Sequence, residues 1–166
     1  MYTAMAYGMQ EISFYKWGKH ESISDEENTI GTNADVYNAV KLANTDLNAF
    51  ASVFKAFTWE KTLDISSGST NSATGNTRLS SVTSSAARIF VGCMKDVDGF
   101  DGYMIANADG PRTAAKTSVT LTFNNATHVL VYKNGKKETV ALADNAYTVE
   151  VDKGEGAFVI PLRIEE

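Results

Sequence analysis

The run His128-Val-Leu-Val-Tyr-Lys-Asn-Gly-Lys-Lys-Glu-Thr-Val-Ala-Leu142 decides the class of fold. β-branched and aromatic residues fill it on either side of Asn134-Gly135, the dipeptide of a two-residue type I′ hairpin, whose two central positions both need positive φ. Just upstream, Val119, Leu121 and Phe123 alternate with Ser118, Thr120 and Thr122, which sends one face to a core and the other to water. The same criteria, carried outward, predict strands at 88–94, 102–107, 118–123, 128–133, 136–142, 147–151 and 157–162. Strands separated by Gly, Asn and Asp with no helix between them describe an antiparallel β-sandwich rather than a parallel sheet.

Upstream the grammar changes. Val36, Val40, Ala43, Leu47, Phe50, Phe54 and Phe57 recur at spacings of four and three, the single face of a helix from about Asp35 to about Thr58, with Thr32-Asn-Ala-Asp35 as its start. Before it, Met1 to Ala6 reads as the end of a helix, Gly8 as its left-handed cap, and Glu11-Ile-Ser-Phe-Tyr-Lys-Trp17 as a strand. Residues 18–33 form a polar, acidic loop without periodicity. Between Ser66 and Ser85, sixteen of twenty residues are Ser, Thr, Asn or Gly, so this tract reads as a linker or surface meander with Leu79 and Val82 as anchors. The expected fold is therefore mainly β with one long helix, in three parts: 1–64, a linker at 65–86, and the sandwich at 87–166.

Composition excludes several classes of function. A net charge of -5 opposes binding to nucleic acid or an anionic membrane surface, which depends on clustered Lys and Arg. No apolar run approaches the roughly 18 residues of a spanning helix. One cysteine, Cys93, precludes an intramolecular disulfide, and two histidines leave little for a metal centre. Asp96, Asp98 and Asp101 fall at relative positions one, three and six, and the glutamate that an EF-hand needs at position twelve is absent, so this string reads as a hairpin turn. Cys93 reads as a buried small hydrophobe and His128 as structural. With no phosphate cradle or nucleophile elbow either, no cofactor and no metal are expected.

Two stretches carry a resemblance. Ala6-Tyr-Gly-Met-Gln-Glu-Ile-Ser-Phe-Tyr-Lys-Trp17 followed by Asp35-Val-Tyr-Asn-Ala-Val-Lys-Leu-Ala-Asn44 resembles the last strand and helix of the (β/α)8 barrel in β-galactosidase-like glycoside hydrolases. The portion from Gly99 to Leu162, with Gly102-Tyr-Met-Ile-Ala-Asn107 and Gly154-Glu-Gly-Ala-Phe-Val-Ile-Pro161, resembles the antiparallel sandwich that commonly follows such barrels. The resemblance implies a terminal βα unit of a barrel followed by a β-sandwich, cut from a larger protein. It further implies that Trp17, at the C-terminal end of the eighth strand, stacks on a sugar ring, with His20 and Glu21 over the same mouth. Retaining glycosidases need two carboxylates about 5 Å apart, which this family carries on its fourth and seventh strands. Neither strand is present, so the chain is expected to contact carbohydrate only through its parent protein and not to hydrolyse it alone. The rival reading is a free-standing, non-catalytic β-sandwich that binds carbohydrate or protein. It is weakened by a sandwich with Tyr103, Tyr132 and Tyr147 but no tryptophan. Under either reading the apolar stripe of the helix seeks a partner, through self-association or by folding back onto the sandwich.

Overall fold

The computed structural model describes residues 1–11, 34–66, 68–73, 78–85, 88–108 and 116–165 of the chain. Among these described residues two helices, α1 (Tyr2–Ala6) and α2 (Ala34–Phe54), precede ten strands. These are β1 (Phe57–Ile65), β2 (Thr70–Ser72), β3 (Leu79–Ser84), β4 (Ile89–Asp96), β5 (Asp101–Asn107), β6 (Thr117–Phe123), β7 (His128–Lys133), β8 (Lys136–Ala141), β9 (Ala146–Val151) and β10 (Gly156–Leu162). All strand pairs are antiparallel. They form a six-stranded sheet, β1-β4-β5-β10-β7-β8, and a four-stranded sheet, β2-β3-β6-β9.

One core lies between the sheets. Val91, Tyr103, Ile105 and Val159 from the first meet Leu79, Val82, Val119 and Leu121 from the second, the arrangement of a β-sandwich. The alternation in 117–123 has the burial it implies, every second side chain being buried. The first sheet departs from the ordinary antiparallel habit of leaving one face to water. Strand β5 is buried along its whole length, because α1 and α2 cover the outer face. That explains the unbroken apolar character of Ile89-Phe-Val-Gly-Cys-Met94: odd positions face the inner core, and Phe90 and Met94 face the helices.

The outer layer is aromatic. Phe158 lies beneath Phe50 and Phe54 of α2 at ring separations of 5.9 and 5.3 Å, with Phe57 at 5.3 Å and Tyr132 at 6.4 Å. The helical stripe thus folds back onto the sheet through its C-terminal half. Helix α1 crosses the centre of the same face, where Gly92 makes room for it. A Cβ there would stand 2.9 Å from the Ala6 carbonyl carbon and collide with its oxygen. The two helices are tied together by the Tyr2 hydroxyl, which donates to the buried carboxylate of Asp46. Burial, reinforced by that carboxylate, pushes the Tyr2 phenol well above its usual range.

Two differences from the sequence reading concern the first half of the chain. The long helix stops at Phe54, and Phe57 starts a strand instead of closing the stripe. Phe57 still reaches the same aromatic cluster, from the sheet side. The Ser/Thr-rich tract is also more than a connection: it supplies β2 and β3, and its anchors Leu79 and Val82 are fully buried. The remaining strands lie where the alternation places them, within two residues at either end. Asn134 and Gly135 have φ of 52° and 69°, as the type I′ turn requires. Asp144 and Asn145, at 52° and 59°, form a second turn with two positive φ values, enclosed by the Ala143–Ala146 bridge.

Candidate functional site

The residues expected to meet sugar, Trp17, His20 and Glu21, lie outside the described residues, as do Ile12 and Phe14. Two exposed aromatic side chains of the described residues, Trp59 and Tyr7, lie where edge strand β1 meets the end of α1; Tyr37 on α2 and Phe100 in the turn after β4 are exposed apart from them. Trp59 is 43% exposed and Tyr7 50%. A β-bulge between Trp59 and Lys61 builds this corner. In a regular strand positions 59 and 62 point to opposite faces, but the extra residue brings both to the outer one. The Trp59 indole N–H then donates to Thr62 Oγ1 at 3.0 Å, and the Thr62 hydroxyl donates to the Ala6 carbonyl at 2.8 Å. Gly8, at φ 85°, leads the chain across the base of the ring; a Cβ there would lie 2.6 Å from that of Trp59. Only glycine meets both demands without strain.

Tyr7 packs edge-on against Phe90 at 5.3 Å, and the Arg88 guanidinium lies 5.0 Å over the same Phe90 ring. Arg88 holds the Asp64 carboxylate through two bonds of 3.2 and 2.6 Å, which keeps that acid below its usual pKa. The Tyr7 side of the corner therefore carries a charge-balanced, planar ion pair, and Trp59, opposite Met94, stands further along the same strand from Asp64, which is opposite Phe90.

Sequence reasoning misses this corner because the apolar period of the helix runs on to Thr58, which leaves Trp59 outside the sandwich. The tyrosines considered instead do not make a platform. Tyr103 and Tyr132 are buried, and Tyr147 is partly covered by the inner core.

A second concavity, of about 400 Å³, lies between the segment after α1 and the C-terminal half of α2. Leu47, Ala51 and Phe54 floor it, and Gln10, Asn44 and Asn48 line its rim. The Gln10 amide is already engaged, donating to the Phe57 carbonyl at 3.0 Å.

Among the described residues no group of three His, Cys, Asp or Glu side chains could hold a metal. In the Asp96–Gly102 turn, Asp96 Oδ1 accepts the backbone N–H groups of Asp98 and Phe100 at 3.0 and 2.8 Å, an intramolecular use for this carboxylate. Cys93 is fully buried, and burial pushes its thiol up to about 11, far from a reactive thiolate.

Asp101 is the unusual carboxylate. It is 3% exposed, and its Oδ1 accepts no hydrogen bond among the described residues. The ammonium of Lys95, opposite it on β4, stands 3.7 Å away and is shared with Glu60 at 3.9 Å. Burial raises the Asp101 pKa above the ordinary 3.8, against the opposing pull of Lys95 and Arg78. The folded state thus keeps this proton to higher pH than the unfolded chain does. Stability is therefore greatest below the unfolded value and falls as pH rises through the folded one. Asp101→Asn should remove that fall and raise stability at neutral pH by about 1 kcal/mol, the order of an unsatisfied buried polar group. Urea midpoints measured from pH 3 to 7 check this; parallel pH profiles for the two proteins would refute it.

No protein family model matches the chain, nor does any curated protein or any solved structure.

Proposed function

We propose that this chain is a non-catalytic β-sandwich domain of a glycoside hydrolase, which braces the end of a (β/α)8 barrel and carries aromatic contacts for carbohydrate. The observation that carries the reading is the division of α2. Its C-terminal half is sealed on the first sheet by Phe50 and Phe54, both 2% exposed. Residues 37–45 are exposed or half-buried, with Tyr37 at 44% and Leu42 at 64%. A helix of 21 residues is about 31 Å long at 1.5 Å per residue, so much of its length is presented away from the core. A helix shared between a sandwich and a second body has this character, and the resemblance of 6–17 and 35–44 to a terminal barrel unit supplies the second body.

Genomic sequence upstream of Met1 tests the reading. An in-frame extension of several hundred residues, with glutamates at the ends of the fourth and seventh barrel strands, is expected. A stop codon and ribosome-binding site immediately upstream would overturn it. A second reading, a free-standing carbohydrate- or protein-binding module, is favoured by the exposure of Trp59 and Tyr7 on the sandwich itself.

A further inference from the structure

We propose that the corner formed by Trp59 and Tyr7 is a glycan-binding site that takes neutral sugar rings of an extended polysaccharide. This deepens the carbohydrate role proposed above and rests on it for the class of ligand; the location rests on the geometry alone.

On this outer face Phe50, Phe54, Phe57, Phe158 and Tyr132 are all buried, whereas Trp59 and Tyr7 remain in water. The two rings are nonetheless held. Trp59 is fixed by its bond to Thr62 and by the close passage of Gly8, and Tyr7 by its edge contact with Phe90. Aromatic rings fixed before binding lose little freedom when a ligand arrives.

The chemistry around the rings narrows the ligand. Their apolar faces suit the C–H faces of a pyranose ring. Further along the same strand, at the Phe90 ring that Tyr7 touches, Arg88 and Asp64 offer planar edges suited to vicinal hydroxyls, and because they neutralise each other they favour an uncharged ligand. The site is an open strip along an edge strand, which fits a polymer lying across it better than an enclosed small molecule. Strand addition by another protein is disfavoured at this edge, where Glu60, Lys61, Asp64 and the bulge interrupt a regular ladder.

The test uses the full 166-residue chain. Gels containing soluble galactan, galactomannan, xyloglucan or mixed-linkage β-glucan would measure its retardation, with anionic polygalacturonate for comparison. Retardation by at least one neutral polymer is expected, with a loss of affinity of tenfold or more in Trp59→Ala, a smaller loss in Trp59→Phe, and none in Trp17→Ala. Thermal melting of each variant separates lost binding from lost folding. Should Trp59→Ala unfold, Tyr7→Ala against Tyr7→Phe decides, the alanine variant alone losing affinity. Unchanged binding in the folded Trp59→Ala protein, or in both Tyr7 variants where these decide, would overturn the site. Loss confined to Trp17→Ala would overturn it while keeping the carbohydrate reading. Failure of every neutral polymer to retard the wild-type chain, preference for polygalacturonate, or a dimer abolished by Trp59→Ala would also overturn it. None of these outcomes alters the upstream reading frame, which judges the accessory-domain reading separately.

Discussion

Phe158→Ala is expected to lower stability by about 3–5 kcal/mol, the range for truncating a fully buried aromatic side chain. Phe158 is completely buried on central strand β10 and has four aromatic neighbours, Phe50 and Phe54 from α2, Phe57 from β1 and Tyr132 from β7. Few residues join as many elements. The neighbours come from two layers, so collapse around the void would have to move a helix and three strands together. Partial relaxation of that kind leaves a cavity and the upper part of the range. A urea titration followed by far-UV circular dichroism gives the midpoint, and a loss below 1 kcal/mol would show that the aromatic layer is not the seam it is described as.

Gly92→Val should have the next largest effect, a loss of about 2–3 kcal/mol from overpacking. The obstruction is backbone, the Ala6 carbonyl, so no side-chain rotation can relieve it. Either β4 or α1 must shift, and α1 is the lighter element, with five residues against a strand paired on both sides. Displacing it also threatens the bond from Tyr2 to buried Asp46. Calorimetric melting together with limited proteolysis of the first ten residues should report a lower Tm and faster N-terminal cleavage. Unchanged cleavage would place the strain elsewhere.

The strands of the second half are legible in the sequence because β-branched and aromatic runs there are bounded by Gly, Asn and Asp, with strict alternation in β6. The two longer strands that escaped, β1 and β3, each contain a register shift, between Trp59 and Lys61 and between Leu79 and Ser81. In β3 the shift lets Leu79 and Val82, three apart, both reach the core, a spacing that no two-residue period reveals. In β1 the interval from Phe54 to Phe57 also continues the helical period of α2, so the spacing carries the helix past its end. With the first two residues of β1 read into the helix and the rest given no element, Trp59 has no sheet to stand on and the aromatic corner is not assembled. Its other parts, Tyr7-Gly8 and Arg88, lie far from Trp59 in sequence and carry no shared motif. The Asp144-Asn145 turn, by contrast, was there to be read, since both residue types tolerate positive φ.

The position of α1 bears on how the chain comes together. Five residues are too few to hold a helix in isolation, so its helical form depends on docking. Its dock includes Gly156, whose missing side chain leaves space for the Tyr2 ring, on a strand near the other end of the sequence. During synthesis the segment 2–6 is made long before its seat exists. It must wait, with Tyr2 and Met5 in water, until β10 has joined β5. Non-local closure of this kind is slow to form. The segment 2–6, made before β10, is thus seated after it, and the hold of Gly8 on Trp59 is set only when the sandwich beneath it is complete.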